Sequence, residues 1–386
     1  MPVMEWLFPG LLTLQVFALG WLVGRARRGD KANAPLNNVG SPPGLPVSVI
    51  VPLKGASPAL REGLKSLRGQ EYPDCEILFV TENETDEAVP VIRELLRQPI
   101  AGGCRRCLHV VAGRAETCGQ KNFNLLAGVR ASDPQRPILV FCDGGHVAPP
   151  HWLRTLVDAL AGGRAEVTTG YHYIAPERYT VAAGGRAITV GMLHSLQQIP
   201  GLAQPWGGGM ALRRSLFDEL DLAGYWARQV VDDVSLARLL KEKHLSVEPV
   251  RGAMVRTPLE SESFSGWSHW LSRQLFFLKI YFPGVWLVGG VMGYALALLL
   301  VMNIGRSLMM GDGLAMAALG LFTLLVAWLR RFHPAPGPLG PWLMGGWAAV
   351  FVACACHART LLTRRLVWRD IAYQVARNGS VRVTQQ

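Results

Sequence analysis

The chain has 386 residues, a formal net charge of +11, a 50 % hydrophobic composition and a positive mean hydropathy, which together exclude an ordinary soluble domain. Its seven cysteines, an odd number, argue against a disulfide framework. No aromatic-basic motif of the kind that reads RNA or DNA is present, so nucleic acid is not an expected partner.

Leu7 to Gly24 is an uncharged run long enough to cross a bilayer. Acidic Glu5 precedes it and the basic "RARR" follows it, the reverse of a cleaved signal, so residues 1–28 are expected to be a retained anchor. Basic residues directly after a first span usually stay in the cytosol, which predicts a cytosolic location for residues 25–281. Residues 29–46, rich in Gly, Pro and Asn without periodicity, read as a linker.

From residue 47 to 262 short apolar runs alternate with helical patterns. "VSVIVP" leads to a helix through Leu60, Leu64 and Leu67, and "EILFVT" to one through Val89, Ile92 and Leu95. "LHVVAG" precedes a helix around Leu125, Leu126 and Val129, and "ILVFCD" precedes one through Leu153, Leu156 and Leu160. Continuous apolar strands separated by amphipathic helices predict a mainly parallel, Rossmann-like α/β sheet covered on both faces. "CRRC" at Cys104 and Cys107 has metal-like spacing, but without a second pair or a histidine arm it reads as a loop carrying two thiols.

Ligands of such sheets bind beyond the carboxyl ends of the strands. Asp143 is expected as the last residue of an internal strand, with Gly144 and Gly145 letting backbone approach a ligand closely. A helix-capping Asp is the alternative, yet the next helix begins after Pro149 and Pro150. Glu82 ends the second strand, where Glu84, Asp86 and Glu87 crowd a loop that is either a solvated turn or a substrate contact. Lys121 lies in the first turn of a helix, where its charge opposes the dipole unless an anion such as a diphosphate uses both.

"PWGGGMALRR" places three glycines before a strand, suited to a lid or an acceptor pocket. Asp232 and Asp233 open a helix, where at least one is expected to cap. Adjacent carboxylates also repel, raising the proton affinity of one toward what a general base needs. Residues 263–283 carry an aromatic stripe of Phe264, Trp267, Leu271, Leu275, Leu278 and Phe282, which predicts a helix lying in the membrane interface.

Three further apolar runs, Phe282 to Gly305, Gly313 to Leu329 and Leu339 to Cys356, make residues 284–358 a transmembrane region. The tail, residues 359–386, would then end on the far side with its arginines, unless it lies along the interface or one run is a re-entrant hairpin. Basic residues flanking the runs suit anionic lipid headgroups.

The motifs "PLKG" followed by "QEYP", then "CDGG", "GGGMALRR", "VDDVSLARLL" and "VWRDIAYQV" resemble those of membrane-anchored GT-A glycosyltransferases of family 2, the ceramide glucosyltransferase type, over nearly the whole chain. That resemblance implies a multi-pass integral membrane protein of a bacterial inner membrane, with a cytosolic GT-A domain between N-terminal and C-terminal transmembrane helices. It also implies a UDP-sugar donor, a lipid acceptor such as ceramide, and Mg²⁺ or Mn²⁺. Residue by residue, Glu82 takes the place of the family's nucleotide-binding Asp, a departure. Asp143 matches the Asp that serves metal and diphosphate, Lys121 a lysine near the diphosphate, and Asp233 the catalytic base. In the family's Q/R-x-x-R-W motif only the first position survives, as Arg273, while Phe276 and Phe277 replace the Arg-Trp pair. The alternatives are a hopanoid, diacylglycerol or polyprenyl phosphate acceptor, or a catalytically silent nucleotide-sugar-binding membrane protein.

Overall fold

The computed structural model describes residues 2–28, 44–99, 103–163, 165–199, 201–363, 365–368, 371–376 and 378–384; the expected linker lies outside them up to residue 43. The chain forms two compact units. One comprises Lys31–His172, Pro200–Pro258 and Arg364–Gln386, the other Met1–Asp30, Tyr173–Ile199 and Leu259–Thr363.

The first unit carries a seven-stranded sheet, with β1 (Val47–Pro52), β2 (Cys75–Thr81), β3 (Cys104–Val111), β4 (Ile138–Phe141), β5 (Val167–Pro176), β6 (Met210–Arg213) and β7 (Val247–Leu259). The order is β3-β2-β1-β4-β6-β5-β7. β1 pairs in parallel with β2 and β4, and β2 with β3, whereas β6 runs antiparallel to β4 and β5. The expected sheet is therefore present, extended by an antiparallel flank that the continuous apolar runs did not announce.

Alternation along β1 sorts the two cores. Val49 and Val51 join Leu64 of α2 (Leu60–Arg68), Ile92 of α3 (Val89–Arg97) and Leu156 of α5 (Trp152–Ala161). Ile50 faces the other way, with Leu125 of α4 (Gln120–Ala131) and Leu236 of α9 (Asp233–Glu242). The short helices α7 (Arg214–Glu219) and α8 (Leu222–Trp226) connect β6 to α9. "CRRC" is part of β3 and not a loop, with its two thiols 3.1 Å apart.

The second unit is helical: α1 (Pro2–Arg28), α6 (Val181–Gln197), α10 (Phe264–Tyr281), α11 (Pro283–Met310), α12 (Gly313–Leu329) and α13 (Leu339–Leu362). Four of these helices are long and apolar enough to cross a membrane, spanning Trp6–Ala26, Pro283–Met310, Gly313–Phe332 (with a 3-10 turn at its end) and Leu339–Leu362. Glycines set the closest packing: a Cβ on Gly345 of α13 would lie 2.4 Å from the backbone nitrogen of Gly185 in α6.

The tail is folded into strands. β8 (Arg365–Trp368), β9 (Ile371–Val375) and β10 (Val381–Thr384) form an antiparallel sheet within the first unit. There the backbone N–H of Gln120, at the start of α4, donates to the Tyr373 hydroxyl at 3.2 Å.

Candidate active site

β4 ends at Phe141, one residue short of where its pairing with β6 could continue, because β6 begins opposite it at Met210. Cys142 still donates its N–H to Ile50 at 3.2 Å, and Asp143 follows in a turn rather than as the last strand residue. The turn is pressed against β1 and α2: a Cβ on Gly144 would lie 2.4 Å from the Leu53 side chain. Asp143 is thereby fixed at the carboxyl edge of the parallel strands, its side chain 37 % exposed.

Lys121, in the first turn of α4, reaches the same place. Its Nζ lies 2.9 Å from Asp143 Oδ1 and 3.1 Å from Asp232 Oδ2, and donates to the Gly207 carbonyl at 3.2 Å. Burial works against its charge, but the carboxylates of Asp143, Asp232 and Asp233 outweigh it and raise its proton affinity above the usual lysine range. Burial likewise pulls Asp143 upward, and is overcome by Lys121 and His146, which hold its carboxyl well below the usual range.

The two adjacent acids divide their work. Asp232, 1 % exposed, occupies the N-cap position of α9 but makes no side-chain cap; its carboxylate turns to Lys121. Burial pushes its pKa up to about 6, against the pull of Lys121 and with the help of Asp233 and Asp143. Asp233 is held by backbone: Oδ2 accepts the Gly207 N–H at 3.0 Å and Oδ1 the Val234 N–H at 2.7 Å.

Gly207 thus lies against all three groups. Gly207, Gly208 and Gly209 are buried. A Cβ on Gly207 would lie 2.5 Å from Asp232 and 2.6 Å from Lys121, and one on Gly208 would lie 2.2 Å from the Trp206 ring. The glycines are there for close approach.

Glu82, just past β2, pairs with Lys54 at 2.6 Å, both side chains 12 % exposed. Asp86 accepts the Gly55 N–H at 2.9 Å and Glu87 the Ala56 N–H at 3.3 Å, so the acidic loop grips the turn after β1. Only Glu84 of the four acids has the surface pairing of a solvated turn, with Arg93. Lys54 was not singled out in the sequence; its place in "PLKG" at a strand end was the available signal.

Behind Asp143, His146 Nε2 lies 3.8 Å from Oδ2, and the His146 ring centroid is 5.1 Å from that of Trp206. Arg273 lies on α10 in the helical unit, half-buried, while Phe276 and Phe277 are buried among helices.

The donor set fits a hard divalent cation. Among the described residues no cluster of three or more His, Cys, Asp or Glu side chains could cage a metal. One carboxylate oxygen facing an imidazole, beside an ammonium that would attract phosphate, is instead the sparse protein contribution that Mg²⁺-type ions take when substrate phosphates supply the rest.

The model of glycosyl transferase family 21, the ceramide glucosyltransferase family, matches residues 11–381. The type agrees with the motif resemblance, although the family number differs from the expected 2. Among solved structures, a mannosyltransferase from Pyrobaculum calidifontis in complex with GDP-Man and Mn²⁺ is similar, with a TM-score of 0.56, 16 % identity, and coverage of 92 % of this chain and 99 % of that one. TarS residues 1–349 from S. aureus match with a TM-score of 0.37 and 13 % identity, over 89 % of this chain and 97 % of that one. The first of these likenesses supports a GT-A fold.

Proposed function

From the premise that the chain belongs to glycosyl transferase family 21, we propose that it transfers a hexose from a UDP-sugar to the hydroxyl of a membrane lipid such as ceramide, with inversion at the anomeric carbon. The observation that carries this reading is the convergence of Asp143, Lys121, Asp232 and Asp233 on one point at the strand ends.

Asp143, together with the donor's phosphates, would hold Mg²⁺ or Mn²⁺, which supplies charge neutralisation at the departing diphosphate. Lys121 adds a fixed positive charge beside it, already paired and therefore preorganised. Glu82, positioned by Lys54, orients the nucleoside or ribose. The acceptor oxygen bonds to the anomeric carbon as the bond from that carbon to the phosphate oxygen breaks. Its proton passes to Asp233, whose two oxygens are aimed by the N–H groups of Gly207 and Val234. Arg273 is carried only by the family motif. The mannosyltransferase solved with GDP-Man and Mn²⁺ supports a nucleotide sugar and a metal in general terms.

The test is turnover by the purified full chain supplied with radiolabelled UDP-sugars and a panel of ceramide, hopanoid, diacylglycerol and polyprenyl phosphate. Labelled lipid identifies the acceptor. The absence of both labelled lipid and slow UDP-sugar hydrolysis under every condition would overturn the proposal.

A further inference from the structure

The side chains behind Asp143 have no part in the reaction as described. The Nδ1 of His146 lies 2.9 Å from the Thr257 hydroxyl oxygen, which is 2.6 Å from His172 Nδ1. Trp206 stacks on His172, with centroids 4.9 Å apart and planes within 4°. Both imidazoles are therefore fixed in orientation by packing and by one shared hydroxyl.

That hydroxyl has a single proton and can donate to only one of the two rings. When it donates to His172, His146 Nδ1 carries the hydrogen and donates to Thr257, so that Nε2, which otherwise pairs with Asp143, can offer its lone pair to a cation seated between them. A histidine whose second nitrogen donates to an oxygen, with Nε2 open toward a carboxylate, has the arrangement of a metal ligand. Lys121 takes Oδ1 of Asp143, and Oδ2 is the oxygen on the His146 side. We propose that His146 Nε2 and Asp143 Oδ2 together form the protein's half of the cation site, with Thr257 as the residue that sets the histidine's tautomer. The inference rests on the proposed function, since diphosphate must complete the shell. A nitrogen donor also favours Mn²⁺ over Mg²⁺.

The experiment is electron spin echo spectroscopy of Mn²⁺ bound to the full chain with UDP, comparing protein carrying ordinary histidine with protein carrying ¹⁵N-histidine. The expected result is one directly coupled imidazole nitrogen, whose signal changes with the label and disappears in His146→Asn. Thr257→Val should weaken Mn²⁺ binding by about 10- to 100-fold. If Mn²⁺ binds and is lost in Asp143→Asn, but no histidine nitrogen couples, the inference falls and the proposed function stands. If Mn²⁺ with UDP does not bind, or binds unchanged in Asp143→Asn, both fall.

An independent set of contacts bears on the helical unit. α1 runs antiparallel to α11, with Asn303 donating to the Phe8 carbonyl at 3.2 Å and Gln15 to that of Met292 at 3.0 Å. It runs parallel to α12, since a Cβ on Gly20 would lie 3.5 Å from Leu325 and one on Gly24 would lie 3.8 Å from Trp328. The end of α1, the start of α11 and the end of α12 therefore share one face. α13 begins on that face, where Trp342 donates to the Val326 carbonyl at 2.8 Å. It also finishes there: Trp286 donates to the Thr360 hydroxyl at 3.0 Å, and Lys279 to the Thr360 and Leu361 carbonyls.

We infer that α13, although 24 residues long and apolar, lies flat among the lipid headgroups and outer acyl carbons and does not cross. Two crossings, by α11 and α12, then return the chain to the side it entered after α1. This agrees with the tail strands belonging to the same unit as the seven-stranded sheet. Exposed Leu339, Met344, Phe351, Leu361 and Leu362 supply its apolar contact with lipid.

The test is labelling of the membrane-inserted full chain with an impermeant maleimide, read by peptide mass. Asn378→Cys and Arg213→Cys should react from the same side, and Met309→Cys from the other. Reaction of Asn378→Cys together with Met309→Cys would overturn the inference.

Discussion

Gly207→Ala tests the geometry of the site most sharply, because a single methyl group meets Asp232 and Lys121 at once. The added Cβ would lie 2.5 Å from Asp232 and 2.6 Å from Lys121, whereas ordinary contact begins at 3.4 Å, so these groups must retreat by roughly 0.8 to 0.9 Å. The retreat pulls Lys121 from the Gly207 carbonyl and shifts the N–H that aims Asp233. Overpacking of this kind costs about 1–3 kcal/mol of stability. A displacement of about 1 Å in a positioned catalytic group costs about 100-fold in rate. The assay is the rate of sugar transfer at saturating donor, alongside the thermal unfolding midpoint. Gly162→Ala, just past the end of α5, whose Cβ would come no nearer than 3.5 Å to the Ala159 carbonyl, is the control and should behave as wild type. A Gly207→Ala enzyme within threefold of wild type would refute the reasoning.

Three further outcomes follow from the same contacts. Glu82→Gln weakens the grip of Lys54 and should raise the KM for donor about tenfold, as loss of one charge-assisted hydrogen bond requires, with kcat little changed in initial-rate assays. Asp232 binds its proton more tightly in the fold, at about 6 against 3.8, so the folded state holds more protons than the unfolded chain between those values and stability falls as pH rises through them. Asp143 acts oppositely, stabilising above its unfolded value and losing that contribution as pH falls. Denaturant unfolding of Asp232→Asn should therefore lack a decline of about 3 kcal/mol that wild type shows between about pH 4 and 6. Tyr373→Phe leaves the buried Gln120 N–H without its acceptor and should cost about 1–3 kcal/mol, measured by the same unfolding experiment.

The parallel half of the sheet was legible because strands buried on both faces are dominated by apolar residues: β4 is apolar throughout, and β1 and β2 are broken chiefly by Ser48 and Glu76, which hydrogen-bond each other at 2.7 Å. The antiparallel flank was not, since β6 is four residues long and β5 carries Thr168, Thr169 and His172 among its apolar neighbours. Of the candidate site, Asp143 and Lys121 stood out by their places at strand and helix ends, whereas Asp233 was told from Asp232 only by the family resemblance. What local pattern could not convey is the long-range pairing: Lys54 with Glu82, Asp232 with Lys121, and the convergence on Gly207, whose glycine looked like slack but is a steric requirement. The tail's strands were not read either, because β8, β9 and β10 are only four or five residues long and follow directly on a long apolar helix.

The central claim is that Asp143 and Asp233 act in one cleft, the first on the donor's diphosphate and the second on the incoming hydroxyl. Asp233→Asn measures it most directly, by UDP-sugar binding and lipid transfer on the same preparation. Donor affinity within about twofold of wild type, with transfer reduced by at least about 1,000-fold, is the predicted result. Transfer at a wild-type rate, or loss of donor binding equal to that in Asp143→Asn, would contradict it.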